Sequence, residues 1–436
     1  MPVTARARTV VLVGLVAACG WLLAAWRQAA LAAEKPSQAP QLVVCPNCRL
    51  RKLGEALAAA APGARVIVQA GLYAEGTVTV NKPVEITGQG YPVIDGLGRA
   101  DVIRVTANDV TIRALWVRNS GSSAMGDPAA IKAVGVSRCL IEDNRVSDSL
   151  FGIRLDQASD CVVRHNELRG GATSASYSGN AIHLWNSQRV VVEGNRARGW
   201  RDGLYFEFTR GLRVQGNLSE NNLRYGLHTM YSSDNRYRQN LLRANQGGVV
   251  LMYSRQLTVL DNRSERHWGA ACYGALLKDL DASRFEHNRF AGNSVALVAD
   301  NANGNVVAAN DFVQNGFALR ILASSSDNRF SGNAFAANAF DVITNGTRSD
   351  NLFAANYWDR YRGYDLDHDG IGDVPYYPVS LFALLLGEYP QAILLLRSPL
   401  VSLLDLAERG IPLLTPQALR DTRPLMERPR WSKSSD

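Results

Sequence analysis

Sulfur and imidazole are scarce in this chain: 436 residues include five Met, six His and six Cys. Charge is thin as well. Charged residues make up 20 % of the sequence and the net charge is only +7. The Arg residues fall singly along the chain, so there is no basic stripe of the kind that tracks nucleic acid, and nucleic acid is excluded as a partner class. Beyond the N-terminal segment, no apolar run reaches the roughly 20 residues that span a bilayer, which excludes a multi-span membrane protein. What remains is 46 % hydrophobic, enough for a large core and too much for disorder.

The first 33 residues read as an export signal. Arg6 and Arg8 precede an apolar stretch from Val10 to Ala25, and the small residues Ala30, Ala32 and Ala33 lead into Glu34. An uncleaved anchor, or a lipoprotein modified at Cys19, are the alternatives. Cys45 and Cys48 form a C-x-x-C just downstream, which in an oxidising compartment is a disulfide, a redox couple or a pair of soft-metal ligands. Cys139, Cys161 and Cys272 stand singly further on.

The organising signal is self-similarity. Asn recurs at positions 144, 166, 195, 217, 240, 262, 288, 310, 333 and 356, mostly 22 or 23 residues apart. Three residues before it lies an apolar or aromatic residue (Val163, Val192, Val214, Tyr237, Val259), and five residues after it another Asn often follows (Asn245, Asn293, Asn315, Asn338). Fourteen residues before it lies Gly or Ala, then strict alternation such as Ile153 and Leu155 or Leu204 and Phe206. That alternation is a strand with one buried face. Short strands at this period bury a core only by stacking coil on coil. The spacing predicts an all-β protein, a right-handed parallel β-helix over residues 65–360, with Asn in a left-handed turn and its amide bonded along the stack. The fixed leucine framework of a leucine-rich repeat is missing. Residues 34–64 hold the C-x-x-C and a capping helix from Leu53 to Ala61.

Counting back from each Asn aligns the outward side chains. Twelve residues before it the column reads Arg154, His183, Tyr205, His228, Val250; ten before, Asp156, Trp185, Glu207, Met230, Met252. His183, His228, Met230 and Met252 are thus expected on one exposed patch, a ligand set suited to Cu(I). Glu207, His267, Cys272, Cys45 and Cys48 are subsidiary candidates. The two longest repeats insert their extra residues just before this strand, around Gly170–Gly179 and around His267, Trp268 and Cys272, as loops over the same face. A patch of Trp, Tyr, Met and His also describes a metal-free protein interface. A sugar lyase or epimerase needs clustered carboxylates beside a base, whereas Asp156, Glu207 and Asp300 are separated by coils carrying Trp185, Met230 and Met252. The reading is therefore not an enzyme.

After the last coil comes Asp365-Leu-Asp367-His-Asp369-Gly-Ile-Gly-Asp373, covering residues 361–379 with its flanks. Alternate carboxylates before Gly resemble a calcium loop, but Tyr376 stands where an EF-hand has its bidentate Glu. Residues 380–436 form a leucine-rich tail, read as short helices that dock on a membrane protein or lie at the bilayer surface, or else fold back over the open coil.

The Asn-rich coils, the Asn-Tyr-Trp-Asp at 356–359, the Asp-rich run through Tyr376 and the leucine-rich tail together resemble the NosD family. That resemblance implies a periplasmic, copper-handling β-helix working with an ABC-type ATPase and membrane permease. It further implies a role in assembling the copper sites of apo nitrous oxide reductase during denitrification, with copper received from a small membrane-anchored chaperone. Three alternatives stay open: a carbohydrate-binding or carbohydrate-modifying β-helix, a metal-free docking platform, and a sulfur-handling component of the same complex.

Overall fold

The structure is a computed structural model and describes residues 40–429 apart from 124, 125, 270, 347, 397, 412 and 413. The export segment lies outside the described residues. From Leu42 onward the chain winds into a parallel β-solenoid, whose strands fall into three sheets of 14, 13 and 12 strands. One coil shows how the repeat maps onto them. In the coil ending at Asn240 and its following strand, Tyr225–Met230 belongs to the 12-stranded sheet, Arg236–Arg238 to the 14-stranded sheet and Leu241–Arg243 to the 13-stranded sheet. Each strand pairs in parallel with its equivalents one coil away.

The alternation read in the sequence becomes columns of buried side chains. Val163, Val192, Val214, Tyr237, Val259 and Phe285 all face inward. The interior changes character along the axis: toward the C-terminal end Phe290, Phe312, Phe335 and Trp358 stack with ring centroids 5.2, 4.9 and 4.1 Å apart. A second inward column holds only small residues. Ala130, Gly152, Ala181, Gly203, Gly226, Gly248, Gly274, Ala296 and Ala318 lie in vertical register. A Cβ on Gly248 would come within 1.9 Å of Ser264 Oγ and 2.4 Å of the Gly274 carbonyl, so space there admits nothing larger. In the last coil the same column ends in Asp341.

The turn Asn side chains are buried and form a continuous ladder. Asn217 donates from both its backbone N–H (3.1 Å) and its amide (2.9 Å) to Asn240 Oδ1, and Asn240 repeats this to Asn262. The left-handed conformation expected at these Asn residues belongs instead to the residue before each: Asp143, His165, Gly194, Gly216, Gln239, Asp261 and His287 all have φ between 53° and 63°. The Asn itself needs regular geometry to aim its amide along the axis. His165 and His287 thus occupy a backbone corner, as structural residues.

Both ends of the stack are covered. The helix Leu53–Ala59 buries Leu53, Ala56 and Leu57. Glu75 accepts from its first N–H groups, Leu53 (2.6 Å) and Gly54 (2.9 Å), and Lys82 Nζ donates to the carbonyls of Leu57, Ala58 and Ala60 at its end. These placements match the helix dipole. At the other end the helices Leu381–Glu388 and Pro399–Gly410 lie against the last coils. Beyond Gly410 no helix follows among the described residues; the chain returns to the last coil and pairs with it at Asp421 and Leu425. No helix among the described residues is long and apolar enough to cross a membrane.

Candidate metal-binding site

The vertical register of the two outward columns is the one counted from the sequence: His183 pairs with Tyr205, Tyr205 with His228, Glu207 with Met230 and Met230 with Met252. Exposure is where expectation and structure part. His183 is 6 % exposed and His228 only 2 %, while Met230 and Met252 are half-buried. Neighbouring aromatic rings do the covering. Tyr205 sits edge-on between the imidazoles, 4.7 Å from His183 and 4.8 Å from His228, and Tyr225 closes the other side of His228 at 4.9 Å. Phe151 flanks His183 at 5.5 Å.

Tyr205 divides the expected quartet. With a phenol ring between them, His183 and His228 do not meet at one ion. Their surroundings differ in sign too. His183 is faced by Arg154, Arg201 and Lys132, and burial together with those cations holds its pKa well below the ordinary histidine value, so it stays neutral. His228 faces a carboxyl group: its Nδ1 lies 3.3 Å from Oδ2 of Asp202, a residue with no exposed surface. Asp202 is held in turn by the Tyr225 N–H at 3.2 Å and by Arg224 at 3.7 Å. The Nε2 atoms of His183 and His228 are both buried with no hydrogen-bond partner. A buried polar atom left unpaired is costly, and a ligand that accepts its lone pair removes the cost.

Asp202 was not among the residues singled out from the sequence. Its signal was present, since it stands one residue before the Gly203 of the small column, one strand edge from Tyr205. A carboxylate that accepts from Nδ1–H fixes the tautomer and leaves Nε2 as the donor toward a metal. Replacing Asp202 by Asn is expected to lower metal affinity by about 10- to 100-fold, as loss of an outer-shell partner commonly does. A chelator competition on folded protein measures this, and an unchanged constant would separate Asp202 from the site.

Met230 and Met252 lie on neighbouring strands with their thioethers on one side, and the Tyr205 hydroxyl lies 3.6 Å from Met230 Sδ. Beside them runs a feature that sequence counting passed over. Phe208, Tyr231 and Tyr253, each immediately after or near this column in three successive coils, stack at 5.1 and 5.0 Å. All three are exposed and all have φ near +50°. That conformation disfavours bulky side chains, and other coils place Asn186 or Asn301 there.

The subsidiary candidates fall elsewhere. Glu207 is half-buried beside Tyr205, whose phenol pKa is raised by burial and then by the Glu207 charge. His267 was expected in a loop over the face; it occupies the Asn ladder position, fully buried between Asn245 and Asn293, with burial pushing its pKa down to about 4. The spacing explains it, since His267 stands five residues after Asn262, as Asn245 stands after Asn240. Cys272 is a free, buried thiol whose pKa burial raises. Cys45 and Cys48 are joined in a disulfide and offer no thiolate to a metal. Cys139 and Cys161 are also joined; they stand 22 residues apart at equivalent positions of adjacent coils, a pairing the repeat itself contained.

In the Asp-rich loop, ligand atoms of Asp365, Asp367 and Asp369 lie within 4.8 Å of one another at the surface. The loop uses its carboxylates on its own backbone: Asp365 accepts from Gly370 N–H at 2.9 Å, Asp369 from Ile371 N–H at 2.8 Å and Asp373 from Leu366 N–H at 2.8 Å.

The fold and the cluster define a class: a parallel β-solenoid bearing an imidazole, a carboxylate partner and two thioethers on one flank. The family model described as "Periplasmic copper-binding protein (NosD)" matches residues 169–363. A protein of Pseudomonas aeruginosa named "Probable ABC transporter binding protein NosD" is 31 % identical over 376 residues, covering 83 % of this chain and 87 % of its own. A protein of the same name from Stutzerimonas stutzeri is 32 % identical over 375 residues, covering 81 % and 85 %. The chain belongs to the NosD family. Among solved structures, the DFA-IIIase of Arthrobacter chlorophenolicus A6 aligns with TM-score 0.46 at 14 % identity, covering 63 % of this chain and 84 % of that one.

Proposed function

We infer that the chain is a periplasmic Cu(I) carrier that binds its cargo through His228 Nε2 and the thioethers of Met230 and Met252, and passes it on by ligand exchange. One observation carries this reading: a buried imidazole with an unpaired Nε2 and a carboxylate behind it stands beside two vertically adjacent thioethers. Thioether and imidazole are ligands for Cu(I), and neither donor asks for redox chemistry. An incoming ion replaces the weak O–H···S contact of Tyr205 on Met230. The stacked Phe208, Tyr231 and Tyr253 border the same coils and supply a rigid rim on which a donor or acceptor protein docks.

Family membership supports the rest. The family's description supports copper and the periplasm, and the relatives' names support association with an ABC transporter, here taken as a membrane permease with its ATPase. Membership of the NosD family implies, as the resemblance did, apo nitrous oxide reductase as acceptor and a small copper chaperone as donor. The helix Pro399–Gly410 exposes Leu400, Leu403 and Leu406, a stripe at helical spacing suited to a membrane-embedded partner. A carrier of this kind is not an enzyme.

The test is anaerobic competition with a Cu(I) chelator. Changing Met230 and Met252 together to Leu preserves volume and apolarity. It is expected to weaken Cu(I) binding by at least about 100-fold, given that outer-shell losses alone reach about that range. Equal affinity in the double variant and the parent would reject the site.

A further inference from the structure

The inward column of small residues holds Gly or Ala in nine successive coils, from Ala130 to Ala318, and then, in the last, Asp341. Nothing in the strand Phe340–Thr344 calls for a carboxyl group facing the core: a further Ala would continue the column and bury no charge. The side chain has one partner, the hydroxyl of Tyr376, which donates to Oδ2 at 3.1 Å; Oδ1 is buried with no partner. Tyr376 belongs to the cap. It reaches the coil from the end of the Asp-rich loop, its ring lies 5.4 Å from Trp358, and its backbone pairs with Asp421. The helix that follows, Leu381–Glu388, packs Phe382 on Phe340, the neighbour of Asp341.

We propose that Asp341 is a proton-operated latch between the last coil and the C-terminal cap, closed when its carboxyl is neutral and loosened when it ionises. A neutral carboxyl sits in the core at little cost and keeps the Tyr376 contact. Ionised, it is a buried charge with an empty oxygen. The charged groups that face it are Arg360, which favours ionisation, and Asp359, which opposes it; Tyr376 is the titratable group of the cap. Burial outweighs the rest and raises the Asp341 pKa to about 7. Once the cap lifts and water enters, the carboxyl returns to the ordinary value near 4. The closed cap therefore holds one proton more than the open one between about pH 4 and 7. Its stability falls as pH rises through that window and is level above it.

The device lies at the opposite end of the stack from the capping helix Leu53–Ala59 and is independent of the metal site. It controls how firmly the leucine-bearing helices are held to the solenoid.

Hydrogen exchange on the intact protein tests it, with protection corrected for the intrinsic pH dependence of exchange and followed in residues 371–388. In the parent, the opening constant of this segment is expected to rise by about tenfold per pH unit between pH 5 and 7, then flatten. Asp341→Asn, which mimics the neutral carboxyl, is expected to show protection that does not vary with pH. Tyr376→Phe removes the one hydrogen bond that favours the charged form, and the break should move to higher pH. A level profile in the parent, or the same slope in Asp341→Asn, would overturn the latch. Should Asp341→Asn not fold, an unmoved break in Tyr376→Phe would do so.

Discussion

Replacing Asp421 by Ala is expected to free the C-terminal cap from the last coil at a cost of about 4 kcal/mol. Asp421 has no exposed surface and stands where the next Asn of the ladder would be. Its Oδ2 accepts the backbone N–H of Asn356 at 3.1 Å, the Asn356 amide at 2.8 Å and the Trp358 indole N–H at 3.0 Å. Alanine would leave three buried donors unpaired, each worth about 1–3 kcal/mol, with water entering at the opened edge to recover part. Asp421→Asn keeps an acceptor in place and should cost about 1–2 kcal/mol. Urea unfolding and protection of the Asn356 amide read the difference. Equal midpoints for the parent and Asp421→Ala would mean that the returning segment does not close the stack.

In the middle of the ladder, Asn240→Ala is expected to destabilise by about 3–4 kcal/mol. Asn240 Oδ1 accepts twice from Asn217, and its amide donates to the Val214 carbonyl at 3.0 Å and to Asn262 Oδ1 at 2.9 Å. Four bonds at about 1 kcal/mol each set the scale. A solenoid couples each coil only to its neighbours, so a break at this height weakens the joint between two halves of the stack. Asn240→Asp keeps the acceptor but turns a buried carboxylate oxygen toward the Val214 carbonyl and Asn262 Oδ1, and above the carboxyl's pKa it should cost at least as much as Ala. A cost below about 1 kcal/mol for Ala would show that the backbone pairing alone carries the turn.

The coil geometry was legible because it depends on one period. Once the Asn positions are aligned, parallel pairing at one strand spacing decides which residues become vertical neighbours, and the register of His228, Met230 and Met252 follows. The same count contained the Cys139–Cys161 pair and the ladder role of His267. Each was hidden by its residue type, because a Cys or His invites a chemical reading before a positional one.

Burial was not legible. Alternation tells which way His183 and His228 point, and both do point away from the core. It does not tell that Tyr205 and Tyr225 will lie over them, because that cover comes from side chains one coil away and on the strand's leading edge. Asp202 was missed for a related reason: it stands just outside the alternating stretch, where the columns were not counted. Asp341 escaped because a carboxylate in a small-residue column has no periodic signal of its own. The left-handed residue was placed one position late, since Asn tolerates that conformation and the ladder amide was credited to it.

Because every coil adds the same rise, the solenoid works as a ruler with fixed graduations. From the coil of Met252 to the coil that carries the cap there are four steps, through Asn288, Asn310 and Asn333 to Asn356, which sets a separation of about 19 Å along the axis. Adding or deleting one whole repeat would leave the Asn ladder and the core columns in phase and move the thioethers by about 4.8 Å relative to the leucine-bearing helices. Reach can therefore change only in whole notches, and a partner that spans both features must match the notch.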